Sequence, residues 1–346
     1  MPKDKSHSKS VTARKRKSEG VKLGALLMGD RGTGKSRYLI ELHKINVEKV
    51  YKKRHGEDID WNNVDVEKVE KCAEECLMCV IDFDLEWQEQ LLMRTSIMPD
   101  EIADTWEKWP VTGSPDNTPL DDYTHRFDDG YDALFYYLKM LRDHHQQYPD
   151  GYRVLIIEDM GEVADAVLDH FFYITTKGKV KTFKDQFAQQ TRKKQQYGKE
   201  ASGKEKADAA LFPLGQRETF GLINIEYKDF VSNAIRYKRE YDYSFYCTTR
   251  IGRKMNDETG QLDEWALGKT YLIENYLDVI IKFKKLSKES VKDGKKHLDT
   301  VFILTTAEGA KNRLSADFTI KNEGPKSFFA QLEKERAIED KEILSR

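Results

Sequence analysis

Eight consecutive residues, Gly29-Asp30-Arg31-Gly32-Thr33-Gly34-Lys35-Ser36, set a lysine and a hydroxyl at the end of a glycine-rich run. That order suits a phosphate chain. Glycines let backbone N–H groups curl around the phosphates without a Cβ in the way. Lys35 then reaches the β- and γ-phosphates, and the Ser36 hydroxyl ligates Mg²⁺. Arg37 follows at once and completes the candidate nucleotide-contacting set. An apolar run, Leu23 to Met28, precedes the motif, and a helix-like stretch, Arg37 to Val50, follows it. Strand, glycine-rich turn and helix in that order are the context the motif requires. The expected ligands are ATP and Mg²⁺, although GTP would use the same loop.

Hydrolysis needs two more groups: an acid that holds the metal, and a carboxylate that orients and deprotonates water. Both belong at the carboxyl ends of strands beside the loop. The most apolar run of the chain, Val154 to Ile157, ends at Glu158 and Asp159, the expected metal-side acids. A second run, Leu77 to Ile81, ends at Asp82, Asp84 and Glu86, and Asp84 or Glu86 is the expected water-activating carboxylate. Thr249, closing the run Tyr243 to Thr248, is a candidate sensor of the γ-phosphate.

Those groups need a scaffold. Strands are expected at Leu23–Met28, Leu77–Ile81, Tyr152–Ile157, Tyr243–Thr248, Leu277–Phe283 and Val301–Thr305, with a short one at Phe318–Ile320. Helical patterns lie between them, at 161–174 and 223–239 among others, and Arg250 to Thr270 reads as a polar loop. Alternation of this kind predicts an α/β fold, a mostly parallel sheet with helices on both faces. Residues 1–19 read as a disordered basic tail and 20–325 as one ATPase domain. Insertions are expected at about 87–150 and 175–210, and a terminal helix at 326–346.

With 346 residues and a net charge of −2, charge balance alone points to no partner. Its distribution does. Lys3 to Lys22 holds eight basic and two acidic residues, and Lys177 to Lys206 holds ten and three. Such islands are candidate polyanion contacts. No apolar run reaches the ~18 residues that span a bilayer, so no membrane role is expected. Nor does an apolar core follow the N-terminal charges, as a secretory signal would need. Four cysteines make no disulfide framework, which points to a reducing, intracellular setting. Cys72, Cys76 and Cys79 read as thiols rather than zinc ligands, since no fourth ligand stands close by.

The motifs Gly29–Ser36, Val80-Ile81-Asp82-Phe83-Asp84 and Leu155-Ile156-Ile157-Glu158-Asp159, with Phe245 to Arg250, Tyr276 to Ile280 and Ala310 to Arg313, resemble the RecA-like ATPase core. More closely they are similar to the phage and archaeal RecA-core ATPases known as AAA-type phage nucleotide-binding proteins, some of which act in single-strand annealing and recombination. In that family the second strand ends Ile-Asp-x-Glu, and Asp84 takes the place of its last acid. The resemblance spans roughly residues 20 to 325. It implies a P-loop ATPase dependent on DNA, most often single-stranded, in a ring or filament with ATP between subunits. Its DNA loops would fall on Lys177, Lys179, Lys181, Lys184, Arg192, Lys193 and Lys194, where Phe183, Phe187 and Tyr197 are interleaved, and on 251–270. Cations neutralise phosphates there and aromatics stack on bases. A residue reaching in from a neighbouring subunit would come from Arg250, Lys254, Lys311 or Arg313. A DNA-translocating motor, a small-molecule kinase and a non-hydrolysing switch are the competing functions.

Overall fold

A computed structural model describes residues 23–83, 106–110, 126–175, 216–255, 262–266, 277–292, 295–307, 319–321 and 325–344. In chain order the elements are β1 (Gly24–Gly29), α1 (Lys35–His55), α2 (Val66–Ala73), β2 (Cys76–Asp82), β3 (Trp106–Pro110), α3 (Arg126–Gln147), β4 (Tyr152–Glu158) and α4 (Met160–Thr175). Then follow α5 (Gln216–Arg236), β5 (Ser244–Thr249), β6 (Ile251–Met255), β7 (Leu262–Ala266), β8 (Val279–Lys292), β9 (Lys295–Ala307), β10 (Thr319–Lys321) and α6 (Pro325–Leu344).

One sheet has the order β10-β9-β8-β1-β5-β4-β2-β3. From β8 to β3 every neighbouring pair is parallel, while β9 and β10 add an antiparallel margin. The fold is a mostly parallel α/β sheet with helices on both faces, as the alternation of strands and helices implied.

Strand pleating sends successive side chains to opposite faces, and two separate cores result. Ala25, Leu27, Met78, Val80, Ile156 and Tyr246 meet α1, α2 and α6 on one face. Leu26, Met28, Cys79, Ile81, Leu155, Ile157 and Phe245 meet α3, α4 and α5 on the other. Central strands covered on both sides need unbroken apolar runs, which explains why β1, β2 and β4 were readable at once. β1 is also pinned at its start. The Asp278 carboxylate accepts the Gly24 N–H at 2.7 Å and pairs with the buried Lys238 at 2.5 Å.

Several elements differ from the sequence reading. Residues 126–147, expected within an insertion, form α3, whose Phe127, Leu134, Tyr137 and Leu141 belong to the second core. The stretch read as a loop after β5 holds a small antiparallel sheet, β6 with β7. β8 and β9 run far past the short apolar segments expected of them. All four cysteines are buried free thiols. No described helix is long and apolar enough to cross a membrane.

Candidate functional site

β1 ends at Gly29, and the chain turns through Asp30–Gly34 into α1. Gly32 and Gly34 hold φ of 72° and 93°, left-handed values that strain any residue with a Cβ. A Cβ added at either would meet nothing within 4 Å, so the loop is open on its outer side. Gly29 is glycine for a different reason. A Cβ there would lie 2.7 Å from the Phe283 carbonyl and from the Thr33 hydroxyl. Thr33 closes the turn by donating its hydroxyl to the Asp30 carbonyl at 2.8 Å.

The start of α1 is prepared for an anion. No side chain caps it, and no acid occupies its first turn. Its free N–H groups and positive dipole end therefore point outward uncompensated. Lys35 is buried and donates back to the carbonyls of Gly29 at 2.9 Å and Asp30 at 3.2 Å. Burial holds its ammonium below the usual lysine pKa, Arg250 adds to this, and Glu158 and Asp159 oppose it. Arg31 is exposed on the loop. Arg37 points along the outside of α1 to Glu41 at 2.8 Å, an ordinary pair one turn on.

Three strand ends line up at Glu158, the acid that reaches Ser36. In the sheet register Asp82 of β2 stands beside Glu158 of β4. One step further lies Thr248, because Ile157 pairs with Cys247 just before it. Two residues back from each are Val80, Ile156 and Tyr246, all in the core beneath α1. Asp82, Glu158 and Thr248 thus share the face on which α1 lies. The Ser36 hydroxyl donates to Glu158 Oε1 at 3.1 Å, across 122 residues of sequence. Burial first, then Asp159 and Asp82, push the Glu158 carboxyl up to about 8. Lys35 and the Thr248 hydroxyl pull the other way.

Of the two acids that end β4, Glu158 therefore reaches the serine of the loop, and Asp159 turns elsewhere. Asp159 accepts the Gly161 N–H at 2.7 Å and caps α4. It also pairs with Arg250 at 3.3 Å. The peptide bond between the two acids is cis. Thr249 is fully buried and donates to the Arg250 carbonyl at 3.4 Å, so the hydroxyl that neighbours Glu158 is that of Thr248. Arg250, one of the candidates to reach into a neighbouring subunit, pairs with Asp159 of its own chain and adds to the lowering of the Lys35 pKa.

Asp82 is the acid of its cluster that the structure sets beside Glu158, and it is completely buried. Asp84 and Glu86 lie outside the described residues. At Phe83, the last described residue before them, the N–H donates to the Glu158 carbonyl at 2.5 Å. The Phe83 carbonyl accepts from the buried Arg126 at 2.5 Å, and Arg126 also pairs with Glu162 at 3.4 Å. Nothing in the sequence around Arg126 marked it. Lys177, Lys179, Lys181, Lys184, Arg192, Lys193 and Lys194, together with Lys311 and Arg313, also lie outside the described residues. Lys254 belongs to β6.

Lysine, serine hydroxyl, open glycine cradle and uncapped helix start fit the phosphates of a nucleotide. The Ser36 hydroxyl and the buried Glu158 carboxyl hydrogen-bonded to it are the oxygens that would hold a cation. Among the described residues no group of three or more His, Cys, Asp or Glu forms a closed metal cage.

No protein-family model matches the sequence, and no curated protein matches it. Among solved structures the chain is similar to the KaiC-like protein PH0186 from the hyperthermophilic archaeon Pyrococcus horikoshii OT3. The two share 9% identity over 88% of this chain and 87% of that chain, with a TM-score of 0.35.

Proposed function

We propose that the chain binds and hydrolyses ATP with Mg²⁺ and uses the cycle on DNA, as an oligomer, in recombination, repair or replication. One observation carries the nucleotide half of this reading: the 3.1 Å bond between Ser36 and Glu158 at the mouth of the phosphate loop. It joins a residue of the glycine-rich motif to the end of the most apolar strand, where a metal-side acid is required.

In this reading Lys35 turns from the loop carbonyls to the phosphates, a short swing for a flexible stem. Ser36 and Glu158 would supply the protein oxygens for Mg²⁺. The bound ion supplies Lewis-acid stabilisation of charge on the transferred phosphoryl group. The carboxylate that takes the proton from water is Asp84 or Glu86. Asp82, buried in the neighbouring register position, adds to the cost of ionising Glu158.

The DNA half rests on composition and on placement in the chain. The basic segment from Lys177 to Lys194 begins just after α4 ends at Thr175. The opposite end of that helix is capped by Asp159, within the nucleotide site. Lys254, Lys311 and Arg313 remain the candidates for a contribution from a neighbouring subunit.

The test is ATP hydrolysis by the purified chain alone, with single-stranded DNA and with duplex DNA, beside Lys35→Ala. Turnover that single strands stimulate, and that Lys35→Ala abolishes, is the expected outcome. Hydrolysis that neither polymer changes would overturn the DNA half. No Lys35-dependent hydrolysis under any condition would overturn the enzyme.

A further inference from the structure

The hairpin of β8 and β9 outgrows the sheet that anchors it. β8 pairs with β1 only over Val279–Phe283, and β10 pairs with β9 only over Ile303–Thr305. From the Lys285–Phe302 pair to the Lys292–Lys295 pair, no third strand joins the ladder among the described residues. At ~3.3 Å per residue that is a two-stranded ribbon ~26 Å long. Because β8 runs parallel to β1, the ribbon leaves the sheet on the side where β1 gives way to the phosphate loop.

Its root is fixed at that loop. Phe283 pairs with Gly29, so closely that no Cβ fits between them. The Phe283 ring packs edge-on against Tyr38 of α1, with centroids 5.2 Å apart. Lys284 and Lys285, the next two residues, are exposed.

Residues directly opposite in an antiparallel ladder share a face. In the ladder register Lys284, Lys288 and Lys292 occupy every fourth position of β8, opposite Ile303, Asp299 and Lys295 of β9. At the tip Lys292 and Lys295 oppose each other, and Lys296 follows. Like charges placed directly opposite cost stability. A lone lysine is enough to discourage unwanted strand pairing at an edge. An opposed pair adds repulsion that a bound polyanion removes. The chain as a whole carries −2, so this is a local field rather than a share of a general positive charge.

We propose that the ribbon is a nucleic-acid arm whose lysine face holds the phosphodiester backbone beside the nucleotide site. This rests on the reading of the chain as a DNA-associated ATPase and names a contact for it other than the segment from Lys177 to Lys194. A two-stranded ribbon has the width to enter the major groove of a duplex, and its cations serve a single strand equally well.

The experiment compares the full-length wild type with Lys284→Gln/Lys288→Gln/Lys292→Gln/Lys295→Gln. A second variant, Lys285→Gln/Lys296→Gln, alters the opposite face. Fluorescence anisotropy follows a labelled thirty-nucleotide single strand and its duplex across a salt series, and circular dichroism melts check that each variant folds. The fourfold variant should bind on the order of 100-fold more weakly near 0.1 M salt. Its salt slope should fall by roughly 3, at 0.7–0.9 for each phosphate that is no longer neutralised. Which polymer shows the larger loss identifies the backbone the arm holds. The two-residue variant should lose much less. A fourfold variant that folds and keeps wild-type affinity and slope for both polymers would overturn the arm and leave the DNA-associated reading standing. A wild type that binds neither polymer would overturn that reading and the arm together. Equal losses in both variants would show net charge at work rather than a face, and would also overturn the arm.

Discussion

Glu158→Gln should stabilise the nucleotide-free protein while removing its response to Mg²⁺. The Glu158 carboxyl rises from an ordinary 4.5 to about 8, chiefly through burial. Below pH 4.5 the group is protonated in folded and unfolded chains alike, and it contributes no difference. Between 4.5 and about 8 the folded chain keeps a proton that the unfolded chain releases, so each pH unit costs the fold ~1.4 kcal/mol. Above about 8 both states are ionised and the loss is complete, with an upper bound of ~5 kcal/mol. Glutamine has the same shape and does not titrate. It must still place an amide N–H₂, for which Asp82 in the neighbouring register position and Asp159 next in the chain are acceptors. A net gain of roughly 2–3 kcal/mol at pH 8 is expected after that adjustment. For a chain of this size it amounts to several degrees in Tm.

The assay is a set of thermal melts in EDTA from pH 4.5 to 9, for wild type and variant side by side. The difference in Tm should open through pH 5–8 and then level off. Melts at pH 8 with Mg²⁺ and a non-hydrolysable ATP analogue should raise the wild type far more than the variant, since ligand binding to the folded state alone shifts Tm by mass action. A difference independent of pH would mean that Glu158 does not titrate differently on folding. A variant less stable than wild type at pH 8 would mean that the Ser36 contact outweighs the cost of burying the charge. Either result refutes the electrostatic account of the site.

Gly29→Ala should destabilise the protein by ~1–3 kcal/mol, because its methyl would overlap the Phe283 carbonyl at 2.7 Å; a urea titration measures it. Arg250→Ala should lower turnover, and mixing it with Lys35→Ala subunits should restore none of that activity beyond dilution. The reasoning is that Arg250 and Lys35 serve the same site of the same chain. Recovery on mixing would return Arg250 to the role of a residue donated by a neighbour.

The sequence disclosed the central strands because a strand covered on both faces has to be apolar throughout. β1, β2 and β4 are buried along almost their whole length, and their edges fell where the apolar runs stop. The antiparallel margin obeys no such constraint. β8 continues from Lys284 to Lys292 as alternating charge and small residues, with the apolar signal diluted below recognition. Lys292 pairs with Lys295, and hydropathy marks the far end of neither strand. β6 and β7 went unseen for the same reason, being five residues each and polar. α3 was hidden by position rather than pattern. The turn-rich residues before it suggested an insertion, yet its Leu134, Tyr137, Leu138 and Leu141 form a helical stripe on the sheet.

At the site, type was legible and parity was not. Runs ending in acids pointed to β2 and β4, but which acid of each pair faces the loop depends on a single step of the pleat. Gly29–Ser36 lies on the α1 side of β1. A side chain reaches it from the sheet only if it shares a face with Leu27, and register puts Thr248, Glu158 and Asp82 on that row. Thr249 stands one residue on from Thr248, and one step of the pleat turns its hydroxyl to the opposite face. Single-turnover hydrolysis by Asp84→Asn and Glu86→Gln separates the two candidate carboxylates: the variant that loses more turnover has lost the group that takes the proton from water, and wild-type turnover in both would remove the pair from the reaction.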